Sequence, residues 1–232
     1  MSERFHITTP PVAGRVSLGG DEARHLARVM RAKIGDEVVL FDGRGQAWPA
    51  RVVAIGRGEV VLEAGEPLAP CPGRGSSLTL AVALPKGERQ KWLVEKLTEL
   101  GVDTLVPLST ERGVAEATPA AIERMKRGVI EAAKQCGRNT LMAIGNPATV
   151  AEVVASQSAA AVGLVADPAG GPFDEGAWRT APEVIGLIGP EGGFTAAELS
   201  HAAAAGWPPV ALGFHVLRVE TAAVAVASRL SG

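Results

Sequence analysis

The sequence predicts an α/β protein in which a small β domain precedes a larger domain of alternating strands and helices. Short apolar segments separated by glycine turns fill the N-terminal part, which is typical of antiparallel strands. Further along, apolar segments alternate with helical ones, which indicates a mostly parallel sheet. Between the two lies a stretch rich in Pro, Gly and Ser, residues 66–77, and it predicts a linker. We therefore predict domains over residues 1–72 and 73–232.

In the N-terminal domain we expect one helix and three strands. The helix is predicted over residues 21–32, and the strands over 37–41, 46–55 and 59–64. Glycine turns at 42–45 and 56–58 join the strands, and this spacing favours a small barrel or sandwich.

In the larger domain each apolar segment is followed by a helical one. Strands are predicted over residues 78–84, 102–108, 141–144, 159–166, 183–189 and 209–213. Helices are predicted over 88–100, from Thr118-Pro119 to 137, from the capping boxes at Thr149 and Thr195, and over 220–230. The last helix is so apolar that we expect it to be buried, against the sheet or against another subunit.

Composition excludes several classes of protein. With 47% hydrophobic and 21% charged residues the chain can form a core, and no segment is predicted to cross a membrane. The N-terminus resembles no signal peptide, so a cytoplasmic location is expected. Cys71 and Cys136 match no metal or disulfide pattern and are predicted to be free thiols, and no metal is expected.

Net charge is −2, but basic residues cluster at 24–33 and 124–138. These clusters suit a phosphate contact or simply solvated helix faces.

The most informative segment is the glycine loop, which we define as Gly189-Pro190-Glu191-Gly192-Gly193. It lies between a predicted strand and a capped helix, where α/β proteins bind ligands. Its acid, Glu191, would repel a phosphate, so a neutral or cationic ligand is favoured. The P-loop and dinucleotide motifs are missing, as are the common hydrolase and metalloprotease motifs.

A second segment joins the predicted strand at 209–213 to the last helix. Arg218 and Glu220 flank the start of that helix. From the residues alone, a functional role and a structural ion pair are equally supported.

These segments resemble the RsmE family of SPOUT methyltransferases, which methylate N3 of a uridine in 16S ribosomal RNA. The matching segments are GPEGGFTAAE (189–198), LGFHVLRVETA (212–222), LPKGERQKWLVEKLTELGVDTLVPLSTER (84–112), EAAKQCGR (131–138) and HLARVMRAKIGDEVVLFDGRG (25–45). They span nearly the whole chain in the family's order. Phe214-His215 stands where the family usually has Pro-Arg, Met142 where a proline is common, and Met30 where the family has leucine.

The resemblance implies a PUA-like β-barrel domain followed by a SPOUT domain with a C-terminal trefoil knot that binds S-adenosylmethionine. It also implies a homodimer that acts on 16S ribosomal RNA or the small subunit. The implied cofactor-binding residues are Leu164, Gly189, Pro190, Glu191, Gly192, Gly193, Leu212, Gly213, Val216 and Leu217.

For catalysis the resemblance points to Arg218, to stabilise the uracil anion, and to Glu220, to orient Arg218 or accept a proton. The implied RNA-binding residues are Arg24, His25, Arg28, Arg31, Lys86, Arg89, Arg112 and Arg138. Two alternatives stay open: another SPOUT activity such as ribose 2′-O-methylation, and a non-catalytic RNA-binding assembly factor.

Overall fold

The structure, a computed structural model, describes residues 3–69, 75–173, 176, 178 and 180–230. Its contacts divide the chain into two compact units. The first contains residues 1–73 and 133–141, and the second contains 74–132 and 142–232. The predicted boundary at 72/73 lies outside the described residues, as does Cys71, so both stay predictions; Cys136 is a free, exposed thiol.

The first unit is built on a five-stranded sheet of order β1-β3-β4-β5-β2. The strands are β1 (Arg4–His6), β2 (Arg15–Gly19), β3 (Glu37–Phe41), β4 (Ala47–Ile55) and β5 (Glu59–Ala64). All pairs are antiparallel except β1 with β3. Its apolar core includes Phe5, Leu40 and Leu62, each fully buried.

The helix predicted over residues 21–32 is shorter and changes its winding. Helix α1 (Gly20–Arg24) continues into a π-helical turn, His25–Val29, in which the Met30 N–H bonds to the His25 carbonyl. Arg31 then adopts a φ of +55°, a left-handed conformation that ends the helix.

The second unit contains a parallel sheet of order β12-β10-β11-β6-β7-β8, with β9 paired to β7. Its strands are β6 (Ser77–Val82), β7 (Thr104–Ser109), β8 (Ala143–Ile144), β9 (Ala148–Thr149), β10 (Ala161–Pro172), β11 (Glu183–Ile188) and β12 (Pro209–Ala211). Its helices are α2 (Glu88–Glu99), α3 (Pro119–Cys136), α4 (Val150–Ala155), α5 (Ala196–Ala204) and α6 (Val219–Leu230), although residues 133–136 of α3 are grouped with the first unit. The predicted α/β class is confirmed, and both predicted capping boxes are present. None of the helices in the described part of the chain is long and apolar enough to span a bilayer.

Helices cover the sheet on two sides. Side chains of α4 and α5 pack with Ile185 and Leu187 of β11 in one apolar cluster. Gly186, between them, faces the opposite side, where an added Cβ would lie 3.6 Å from Val226 of α6. Helix α6 also packs on α2. Its apolar face is therefore buried within the chain, which is the first of the two alternatives expected for it.

Two strands differ from the prediction in where they begin or end. The predicted strand at 141–144 begins only at Ala143, because the Leu141 N–H bonds to the Gly43 carbonyl inside the first unit. Strand β10 runs on past Ala166 to Pro172, with a register shift in which Ala166 and Gly171 both pair with Val210. The intervening residues therefore bulge out of the ladder.

Gly163 should be intolerant of any side chain. A Cβ there would lie 2.0 Å from the ring of Trp207, which is buried. We expect Gly163→Ala to lower the free energy of unfolding by about 1–3 kcal/mol through overpacking. Urea unfolding followed by circular dichroism measures this change.

Gly171→Ala is the matched control, since it lies in the same strand and its added Cβ would meet nothing within 4 Å. Equal stability of the two variants would contradict the predicted clash.

Candidate cofactor and RNA sites

A cavity of about 290 Å³ lies beside the bulge of β10 and beyond the carboxyl ends of β11 and β12. These strands are neighbours in the parallel sheet, so the segments that follow them meet at one edge. Nine of the predicted site residues line the cavity: Gly189, Pro190, Glu191, Gly193, Leu212, Gly213, Val216, Leu217 and Arg218.

Three predicted site residues are not in its lining. Leu164 is fully buried inside β10, Gly192 contacts Arg112 instead, and Glu220 lies in the first turn of α6. Sequence analysis in turn missed eight residues that do line it: Ala166, Asp167, Pro168, Ile188, Phe194, His215, Val219 and Ala222. Asp167 and Pro168 belong to the bulge of β10, which no periodicity in the sequence indicates.

The glycine loop is a tight turn beneath a capped helix. The Gly193 N–H bonds to the Pro190 carbonyl at 2.8 Å, and Gly193 has a φ of +69°. An added Cβ on Gly189 would lie 2.9 Å from the Phe194 ring. Glycine is therefore required at both positions, and main-chain atoms form much of this wall of the cavity.

Arginine side chains hold the lining segments from outside. The Arg89 Nη1 donates to Glu191 Oε1 at 3.1 Å, and the Arg112 Nη1 donates to the Gly192 carbonyl at 2.7 Å. On the other segment, Arg229 Nη2 donates to the Leu212 carbonyl at 3.1 Å. Arg89 and Arg112, which were predicted to contact RNA, therefore contact the glycine loop.

Arg218 and Glu220 differ in their surroundings. Arg218 is exposed on the cavity wall, and in the described part of the chain its guanidinium has no ion-pair partner. Glu220 is 6% exposed, and its Oε2 lies 3.7 Å from Arg89 Nη1. The same oxygen makes no hydrogen bond to any described residue. The structure therefore pairs Glu220 with Arg89, and it leaves the cation of Arg218 available to a ligand.

The predicted RNA-binding residues fall in both units. Arg24, His25, Arg28, Arg31 and Arg138 belong to the first unit, and Lys86, Arg89 and Arg112 belong to the second. Arg28, Arg31 and Lys86 are exposed, whereas His25 is half-buried with its ring against Phe5.

A cleft of about 510 Å³ in the first unit brings basic residues together. Arg24 and Arg28 line it with Arg57, which sequence analysis treated only as part of a turn. Arg24 also bonds to Asp21 at 2.8 Å. No cluster of His, Cys, Asp or Glu suited to a metal ion occurs among the described residues.

Comparisons with known proteins find two family profiles along the chain. A profile of the RNA methyltransferase domain matches residues 74–231, and one of the RNA methyltransferase PUA domain matches residues 18–64. Ribosomal RNA small subunit methyltransferase E of Synechocystis is 34% identical over 91% of this chain and 71% of its own length. The protein of that name from Mycobacterium bovis is 32% identical over 94% of this chain and 87% of its own.

Solved structures of similar proteins share the fold. The Neisseria gonorrhoeae ribosomal RNA small subunit methyltransferase E bound to S-adenosylmethionine has a TM-score of 0.91 and 27% identity, over 98% of this chain and 96% of that chain. A putative methyltransferase from Legionella pneumophila, also solved with bound S-adenosylmethionine, has a TM-score of 0.89 and 27% identity. The match covers 99% of this chain and 97% of that chain. The chain therefore belongs to the ribosomal RNA small subunit methyltransferase E family.

Proposed function

We propose that this protein uses S-adenosylmethionine to methylate N3 of a uridine in the 16S RNA of the small ribosomal subunit, in the cytoplasm. Membership of the family supports the cofactor and the class of RNA. One observation carries the proposal furthest: the glycine loop and the 212–218 segment together line a single cavity. The choice of N3 rests on the sequence resemblance, as does the trefoil knot.

The cavity fits S-adenosylmethionine in its chemistry. Its lining consists largely of glycine, proline and apolar residues, with the acids Asp167 and Glu191 and the base Arg218 among them. This mixture suits a ligand that combines a flat base with a cation and suits a triphosphate poorly. When bound there, S-adenosylmethionine supplies an electrophilic methyl group on a sulfonium.

Arg218 would stabilise the reacting base. Uracil N3 carries a proton at neutral pH, so attack on the methyl group requires its removal and places negative charge on the flanking oxygens. The exposed guanidinium of Arg218, on the cavity wall, is the cation we assign to those oxygens. For Glu220 we propose acceptance of the N3 proton through water, because Oε2 has no hydrogen-bond partner among the described residues.

The test of the function is methyl transfer from labelled S-adenosylmethionine to 16S RNA, naked and in small subunits, with analysis of the nucleosides. We expect the label in 3-methyluridine. Label on a ribose oxygen would keep the family and overturn the N3 assignment. Failure to bind the cofactor at all would support the assembly-factor alternative.

Arg218→Ala should slow the chemical step while leaving cofactor binding intact. Loss of one donor to a developing anion lowers kcat by about 10²–10³-fold. Single-turnover kinetics with calorimetric titration of S-adenosylmethionine separates the two effects. Wild-type kcat in the variant would remove Arg218 from the mechanism.

The cleft between α1 and the β4–β5 turn is the RNA-binding surface we assign to the first unit. Arg24, Arg28 and Arg57 line it and can neutralise phosphates. Arg28→Met with Arg57→Met should weaken RNA binding and lower the salt slope by about one unit for each phosphate that is no longer neutralised. Filter binding at several salt concentrations measures both.

Arg51→Met is the control for the single variant Arg28→Met, because each removes one positive charge; Arg51 lies in β4, where it bonds to Glu37 at 2.9 Å. An equal loss of RNA affinity in this control would contradict a localised surface.

We also infer that the protein is a homodimer. Beyond its buried face, α6 carries a row of small side chains that are exposed or half-exposed, Thr221, Val224, Ala225 and Ser228. Their spacing places them on one side of the helix, which suits close helix packing between subunits. Light scattering at micromolar concentration should give twice the chain mass of 23.8 kDa, and a monomer would contradict the inference.

A further inference from the structure

Two arginines that lie far from the glycine loop in the sequence form hydrogen bonds to it. Arg89, in the first turn of α2, reaches the Glu191 carboxylate at 3.1 Å. Arg112, in the turn after β7, donates to the Gly192 carbonyl at 2.7 Å. Arg89 thus binds a side chain of the loop, and Arg112 binds the backbone of the loop.

Arg89 also connects the glycine loop to the second lining segment. Its Nη1 lies 3.7 Å from Glu220 Oε2, at the start of α6. A buried carboxylate needs a nearby cation, so Glu220 favours one position for the Arg89 guanidinium. If Glu191 moved away from Arg89, the only remaining carboxylate contact of that guanidinium among the described residues would be the longer one to Glu220.

The turn that presents Arg112 is itself fixed. The Glu111 N–H donates to Glu198 Oε1 at 3.1 Å, and Glu198 is the capping-box carboxylate of α5. The fit is close as well, since an added Cβ on Gly192 would lie 3.3 Å from Arg112 Cδ. The turn, the loop and the helix after the loop therefore form one connected structure.

We propose that Arg89 and Arg112 are positioning residues that hold the glycine loop in its cofactor-binding shape. The inference rests on the proposed use of the cavity for S-adenosylmethionine. A loop with three glycines has many conformations open to it, and ordering it during binding would weaken affinity. Two fixed guanidinium groups order the loop in advance, so their first effect is on the cofactor rather than on RNA.

The experiment is calorimetric titration of S-adenosylmethionine into RNA-free protein. We expect Arg89→Met and Arg112→Met each to raise Kd about tenfold, the effect of losing one hydrogen bond between charged or polar partners. Arg112→Lys should recover part of the loss, because one ammonium can still donate to the Gly192 carbonyl. At saturating cofactor, kcat of Arg112→Met should stay close to wild type while KM for the cofactor rises, because Arg112 contacts the Gly192 carbonyl and not Glu220.

A coupled pair provides a sharper measurement. If Arg89 acts through Glu191, then Glu191→Gln should weaken cofactor binding and the double variant with Arg89→Met should add little more. Arg127→Met is the matched control, since it removes an exposed arginine of α3 and should leave Kd unchanged. Cooperative thermal unfolding checks that each variant is folded.

The outcomes separate this inference from the proposed function. Variants that bind S-adenosylmethionine like wild type but lose affinity for RNA would overturn the inference and make both arginines phosphate contacts. Absence of binding by the wild-type protein would refute the proposed function instead. In that case amide hydrogen exchange in residues 191–194 still tests whether Arg112 holds the loop. Faster exchange in Arg112→Met would support the positioning role, and unchanged exchange would refute it.

Discussion

The parallel alignment of β12, β10 and β11 is the constraint on which the rest of the second unit depends. Because these neighbouring strands run in one direction, their carboxyl ends lie side by side. The glycine loop, the bulge of β10 and the 212–218 segment are thereby brought to one cavity, although they lie far apart in the chain. Every group assigned to the cofactor depends on that alignment.

Close packing around glycines maintains the alignment. Gly163 lies under the Trp207 ring, and Gly170 approaches the β12 backbone so closely that a Cβ would lie 2.4 Å from the Val210 nitrogen. Gly186 leaves room for the Leu80 side chain of β6, because an added Cβ would lie 2.8 Å from Leu80 Cδ2. These contacts secure both faces of the sheet, so the loops at its edge need only local restraint, and arginines from α2, α6 and the turn after β7 provide it.

The arginines of this chain, whose net charge is −2, differ in what surrounds them in the structure. Arg89 and Arg112 face carboxylate and carbonyl oxygens of the protein, where a guanidinium forms directional bonds. Arg28 and Arg57 instead line an open cleft, and Arg218 lines the cavity. Basic residues that look equivalent in the sequence thus divide between those bonded to other protein groups and those that line an open cleft or cavity.

The sequence by itself determined the class of fold, most element positions and the two segments that line the cavity, because hydrophobic periodicity, capping boxes and glycine turns act over a few neighbouring residues. Nine cavity residues could be named in this way and from the family resemblance. Only the tertiary structure decided that Asp167 and Pro168 join the lining, since the bulge arises from pairing with β12, a strand distant in the chain. It also decided that Glu220 faces Arg89 and that residues 133–141 belong with the first unit. Such contacts depend on which distant elements become neighbours, and local sequence patterns carry no information about that.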